Sequence, residues 1–399
     1  MHPALQLNDI IYVIFRHVNE PSSNFKPGGN VGHAALAALA RTCQIFHEPA
    51  LDVLWGDLIL STPLGLLLAY RTNALTTRDW EVLQKYVPRV RSLTFHVAAP
   101  VCRNVLKALR QSPVAQPPLP NLQRLDCRHL IPEDYHLLDI FFVPSLRDLT
   151  IEVHPASFPD ISFISPLPAL CPQLTSFRLF GYESHEPIVA TVSNVIMSLP
   201  HLQTLHCDQL SQAAITFVAW HPSLTELDIS IPSGHAYNFS QFPHPTLPRI
   251  PPFSRIKSFG MNSVRLTTIG AFIKAVQSSP SHLRITTSHA SSPEDLEEFF
   301  SILSNQWRHE SLQILRLESF LPGASIDIDT IKPLLRFSKL RELHLLTGNP
   351  IRFSDEEFAT MGASWPSLEV INLNNGYAQA DPSMITLRGL ILLVNKCPL

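Results

Sequence analysis

Eighteen histidines and six cysteines are the side chains of this 399-residue chain best equipped to hold a metal or to attack a substrate. Their spacing favours neither chemistry. Cys43, Cys102, Cys127, Cys171, Cys207 and Cys397 contain no Cys-x-x-Cys pair, the spacing from which structural zinc sites are commonly built. His201 and His206 stand close together, but at opposite ends of one short apolar line. No Gly-x-Ser-x-Gly elbow, phosphate-binding Walker loop, His-Glu-x-x-His pair or dinucleotide glycine fingerprint occurs. No metal or other cofactor is therefore expected, and an enzyme is the remote reading. What remains is a set of polar residues recurring at a fixed interval, which is the chemistry of a binding surface.

The interval is set by a recurring line, Pro-x-Leu-x-x-Leu-x-Leu. It reads Pro120-Asn-Leu122-Gln-Arg-Leu125-Asp-Cys127, then Pro144-Ser-Leu146-Arg-Asp-Leu149-Thr-Ile151 and Pro172-Gln-Leu174-Thr-Ser-Phe177-Arg-Leu179. The first apolar position of each copy falls at Val90, Leu122, Leu146, Leu174, Leu202, Leu224, Ile256, Leu283, Leu312, Leu340 and Leu368. The mean spacing is about 28 residues, within the range of leucine-rich repeats. One such unit cannot bury its apolar face alone and must stack on its neighbours.

The line is short and alternating, so it predicts a strand. Helical segments are expected between the lines, at Val101–Gln111, Glu133–Phe142, Ile188–Ser198, Thr267–Gln277, Glu294–Gln306 and Asp355–Ala363. Ser354 to Glu357 reads as a capping box, and Ser292-Pro293-Glu294-Asp295 places Pro at the first helical position with acids behind it. Strand and helix alternating at this period predict an α/β solenoid, with parallel strands on a concave face and helices outside. Pro-rich stretches interrupt it at 113–120, 155–172 and between Ile229 and Ile256. Between the second and third apolar positions, the residues expected to face outward are Thr94, Asp126, Thr150, Arg178, His206, Asp228, Gly260, Thr287, Arg316, His344 and Asn372. A dedicated phosphate site needs several converging cations, and this register supplies only Arg178 and Arg316.

A net charge of −3 and a pI near 6.6 argue against nucleic acid or a membrane surface as partner. The longest apolar runs, Leu64–Tyr70 and Leu387–Val394, are too short to span a bilayer, and no basic segment precedes an apolar one at the N-terminus. The chain is expected inside the cell, cytoplasmic or nuclear, with its cysteines as small buried hydrophobes. Asn238-Phe-Ser240 is then a chance match to a glycosylation acceptor.

The first 60 residues do not follow the period. Asp9–Val18 predicts an amphipathic helix carrying Ile10, Ile11, Val13, Ile14, Phe15 and Val18, with Asn8 as its cap. Residues Asn19–Gly32 read as a loop, His33–Phe46 and Glu48–Trp55 as two further helices, and Leu58 with Leu60 as the opening strand of the repeats. Leu7-Asn-Asp-Ile10-Ile-Tyr-Val-Ile14-Phe15-Arg-His-Val18, then Leu36-Ala-Ala-Leu39-Ala-Arg41-Thr42-Cys43-Gln-Ile-Phe46 and Leu54-Trp55-Gly-Asp-Leu58, resembles an F-box of the kind abundant in fungal proteins that carry C-terminal leucine-rich repeats.

The resemblance implies a helical domain over residues 1–60 and a degenerate repeat domain over 61–399. It implies that Leu7, Ile10, Ile14, Phe15, Val18, Leu39, Cys43, Phe46 and Trp55 bind the adaptor subunit of a cullin-type ubiquitin ligase. The repeats would then recruit an unknown protein substrate. With the adaptor at one end, cargo is expected toward the other, where Arg316, Glu318, Arg341, Glu342 and His344 cluster on two adjacent repeats. Asn8 and Asp9 stand where the family has Pro and Glu, and the first loop is long. The alternative is therefore a repeat scaffold without ligase coupling.

Overall fold

The computed structural model describes residues 8–19, 31–59, 77–95, 100–111, 117–128, 132–153, 160–181, 185–232, 237, 252–276, 278–319, 325–347, 350–373 and 385–397. Leu7, Leu60, the apolar run at 64–70, Asn238, and most of the expected first loop and of the Pro-rich stretch before Ile256 lie outside the described residues. The chain divides into two compact units, Met1–Glu183 and Ser184–Leu399.

The first unit opens with three helices, α1 (Asn8–Asn19), α2 (Val31–Leu39) and α3 (Gln44–Gly56). They close around a small core of Ile11, Phe15, Leu36, Ala40, Ala50 and Val53. Gly32 is required where α2 meets α1, because a Cβ there would stand 2.5 Å from the Val18 carbonyl oxygen. The second helix ends seven residues before the sequence-based expectation. Arg41 donates from Nε to the Ala37 carbonyl at 3.1 Å and Thr42 from Oγ1 to that of Leu39 at 2.7 Å, so side chains satisfy the last turn and stop it.

Third-helix residue Gly56 leads directly into β1 (Asp57–Ile59), which pairs in parallel with β2 (Ser92–Phe95). The unit continues through β3 (Arg124–Cys127), β4 (Asp148–Glu152) and β5 (Ser176–Phe180), each parallel to its predecessor. Arg89, just before β2, donates to both Asp52 and Glu48 of α3, and Trp55 stacks on Tyr86 with ring centroids 4.5 Å apart. The helices are thereby held to the first repeat.

The second unit holds β6 (Thr204–Cys207), β7 (Glu226–Ile231), β8 (Ser258–Ser263), β9 (His282–Thr287), β10 (Ile314–Ser319), β11 (Glu342–Leu346) and β12 (Val370–Leu373), again all parallel and in chain order. Register follows the repeat: Leu205, Leu227, Phe259, Leu283, Leu315, Leu343 and Ile371 form one cross-strand row. Pairing begins in the preceding turn, where Gln313 N–H donates to Ser281 O at 2.8 Å and Arg341 N–H to Gln313 O at 2.7 Å. Each unit is a leucine-rich-repeat array, α/β in class.

Register corrects the sequence at one copy. Leu283 pairs with Leu315 and Phe259, the second apolar position of their lines and not the first. The first slot is taken by Pro280, which is buried. Leu283, Ile285 and Thr287 then alternate inward, and Thr287 is fully buried where the sequence had set it outward. Arg284 takes its place on the open face.

The helices lie close to their expected ranges; the expected capping box forms at Ser354 with Glu357, and Ser292 with Asp295 forms a second one ahead of the expected Pro293 start. Between β3 and β4 the helical segment expected at Glu133–Phe142 is a 3₁₀-helix, Pro132–Phe141. That copy has the short spacing of Leu122 to Leu146. Ten residues at about 2.0 Å rise span about 20 Å, nearly the about 21 Å that the fourteen α-helical residues of Pro293–Gln306 cover at about 1.5 Å each.

Among the described residues no helix is long and apolar enough to cross a membrane, and no His, Cys, Asp and Glu cluster could hold a metal ion. Cys127, Cys171, Cys207 and Cys397 are buried; burial pushes the Cys171 thiol up to about 12 and that of Cys207 well above its ordinary value.

Candidate functional site

Two surfaces carry unspent binding chemistry, one in each unit. In the first unit α1 buries only one side. Ile11 and Phe15, four residues apart, face the helical core, and Phe15 meets Phe46 edge to face at 5.4 Å. Ile10, Ile14 and Val18 form a parallel row at the same spacing and stand 38%, 41% and 37% exposed. Val13 is more exposed still, and Tyr12 and, on α3, Ile45 are also open to solvent. The apolar stripe of α1 is thus wider than the part its own core covers, and among the described residues the Ile10, Ile14 and Val18 row stays open.

The other residues expected at this surface sit differently. Phe15 is interior, and Leu39 and Phe46 pack half-buried against the same core. Cys43 is the half-exposed residue preceding α3, and Trp55 is half-buried against Tyr86. Ile10, Ile14 and Val18 are thus the described members that share one exposed row.

In the second unit the face of the sheet away from the apolar row is polar. Arg316 donates from Nη2 to Glu342 Oε2 at 2.9 Å, and His344 Nε2 lies 3.3 Å from the same oxygen. Arg316 first, then His344, holds the Glu342 carboxyl below the usual carboxylate range. Glu318 follows two residues along the same face, in register with Leu346. Arg341 is out of phase with this group by one residue and forms a two-pronged pair with Glu369 at 2.8 and 2.9 Å. Four of the five residues expected to meet a substrate therefore share one face, and Arg341 serves the next turn.

Beside this group lies a depression of about 260 Å³ that the sequence register had hidden. Asp228, Gly260, Arg284 and Arg316 fall in one cross-strand row over β7 to β10. Asp228 is only 6% exposed; Asn262 Nδ2 donates to its Oδ1 at 2.9 Å and Arg284 Nη2 to its Oδ2. Its carboxylate lies over Gly260, where an added Cβ would stand 2.4 Å from Asp228 Cγ. Glycine is what allows an aspartate on β7 to reach an arginine on β9. Setting the Leu283 line by its two-residue alternation would have placed Arg284 beside Arg316 from sequence alone.

No protein-family model matches the chain, and no curated protein matches it. Solved structures similar in fold include a leucine-rich-repeat protein of Legionella pneumophila, LegL7 (12% identity, TM-score 0.36, covering 76% of this chain and 96% of that one). A complex of Rad7 and Elc1 in yeast matches at 13% identity and TM-score 0.36, covering 95% of this chain and 92% of that one. A leucine-rich-repeat protein of Leptospira interrogans matches at 13% and 0.36, covering 81% and 85%. Similarities this low say nothing about what this chain binds.

Proposed function

We propose that this chain is a non-catalytic substrate receptor of a cullin-type ubiquitin ligase. Residues 1–60 dock the adaptor subunit through their helices, and residues 61–399 hold a protein substrate on the open strand face, in the cytoplasm or nucleus. The observation that supports this most is the exposed row Ile10, Ile14 and Val18 on α1, in the segment that resembles an F-box. Apolar surface of this kind gains about 25 cal/mol per Å² when a partner covers it. The open face of the second unit, with its charged groups in fixed ion pairs, suits selection among protein partners more than raw affinity.

The test is capture from cell lysate by the full chain and by residues 61–399, each read by mass spectrometry. Adaptor recovered by the full chain alone supports the proposal. Adaptor recovered by both, or by neither at micromolar protein, removes the ligase role. Asn8 and Asp9, where the family has Pro and Glu, favour the second reading, a repeat scaffold that keeps its protein partners but recruits no adaptor.

A further inference from the structure

Arg284 and Arg316 stand directly in register on neighbouring strands, which lie about 4.8 Å apart in any sheet. Like charges set opposite one another destabilise a sheet unless something compensates them. Here each guanidinium is anchored to a carboxylate on its far side. Arg284 donates back across β8 to Asp228, and Arg316 donates forward to Glu342 on β11. The two are drawn in opposite directions, and both line the depression over Gly260.

Each arginine spends one terminal nitrogen on its anchor, and among the described residues neither makes a further hydrogen bond. Their side chains are 51% and 47% exposed, so the remaining N–H edges face water. Three neighbouring acids are already engaged, Asp228 by Arg284 and Asn262, Glu342 by Arg316 and His344, and Glu226 by His206 at 3.1 Å, while Glu318 stands two residues further along the face. An anionic group entering the depression would accept a charge-assisted hydrogen bond from the remaining edge of each arginine.

We propose that Arg284 and Arg316 form a subsite for an anionic side chain, carboxylate or phosphate, of an extended peptide segment on the bound protein. Asp228 and Gly260 are its positioning residues. This deepens the substrate-receptor reading and rests on it, since it names the chemistry the strand face selects. The chain's net charge of −3 gives it no general attraction for acidic peptides, so any such binding is local to this pair.

The experiment uses purified full chain, without adaptor, titrated against fluorescently labelled peptides of equal length: one glutamate-rich, one with a phosphoserine, one lysine-rich. Fluorescence anisotropy at low salt reads Kd. Binding of the glutamate or the phosphoserine peptide is expected, weakened about tenfold or more by Arg284→Ala and by Arg316→Ala and unchanged by Arg341→Ala. Which anionic peptide binds decides between the two sources. Arg284→Ala also leaves Asp228 without its cation, so Arg316→Ala, whose Glu342 keeps His344, tests the subsite if the first variant melts early. Failure of both anionic peptides below a millimolar, equal binding of the lysine peptide, or unchanged Kd in both variants would overturn the subsite. Loss of adaptor capture alone leaves this result standing, and the converse holds too.

Discussion

Gly260→Ala isolates the device at the centre of the open face. The backbone at this position does not have the positive φ that only glycine tolerates, so the substitution adds no backbone strain. Alanine in a strand is even favoured over glycine by about 0.5–1 kcal/mol, through the entropy of the unfolded chain. What opposes it is contact, because the new Cβ would stand 2.4 Å from Asp228 Cγ and Oδ2 and 2.9 Å from Oδ1. The carboxylate must swing away, giving up the bonds from Arg284 and Asn262. Hydrogen bonds to a charged group contribute about 1.5–3 kcal/mol each when buried. Arg284 is half exposed and the displaced carboxylate regains water, so each counts toward the lower end.

The net expectation is about 2–2.5 kcal/mol of destabilisation, read as a fall of about 4–10 °C in Tm. The decisive control is the same change in an Asp228→Ala background. With no carboxylate to strike, Gly260→Ala becomes neutral or stabilises by up to about 1 kcal/mol. A double-mutant cycle by calorimetry and urea denaturation gives the coupling directly. Equal destabilisation in both backgrounds would show that the glycine serves something other than passage of Asp228 to Arg284.

Leu315→Ala and Leu343→Ala, both fully buried in the cross-strand row, are each expected to cost about 2–5 kcal/mol by urea denaturation, the range for truncating a packed core leucine. Ile14→Asp is expected to leave the melt within about 0.5 kcal/mol of the parent and to abolish adaptor capture. Phe15→Ala, one residue on, is expected to loosen the helical core by about 3–5 kcal/mol because that ring is buried against Phe46. If the two variants lost adaptor equally while both stayed folded, the exposed row would not be the docking surface. Glu342 has a folded pKa held below its ordinary value of 4.5, so its contribution is present above the unfolded pKa and fades as pH falls through the folded one. Urea midpoints of parent and Glu342→Gln should therefore differ at neutral pH and converge as pH falls through that lowered pKa, and a gap that persists in acid would refute that pairing.

The fold was largely legible because the repeat imposes a rule the chain cannot break cheaply. Leu125, Leu149 and Phe177, or Leu315 and Leu343, must stack in one row or leave an apolar side chain in water. Helix starts were legible where Ser292 and Ser354 carry their own caps, because those bonds are local in sequence. The 3₁₀ form of Pro132–Phe141 was not, since the residue pattern marks a helical segment without fixing its winding. In the N-terminal element the amphipathic pattern located α1 but did not divide it. Ile14 and Phe15 differ by one position, and only packing against α3 sends one to solvent and the other to the core.

The open face was hidden for a sharper reason. A ligand site on a repeat array is written across strands, so each residue contributes nothing recognisable along its own line. Asp228, Gly260, Arg284 and Arg316 span four repeats, and no spacing in sequence ties them together. They meet only once the register of every intervening strand is right. A shift in one copy moved Arg284 off the face and put buried Thr287 on it, leaving Arg316 alone. Correcting that copy by its period-two alternation restores the arginine pair and, with it, the glycine's purpose. In such arrays the most informative residues for function are the ones that fix register, here Leu283 and Ile285, although both are buried.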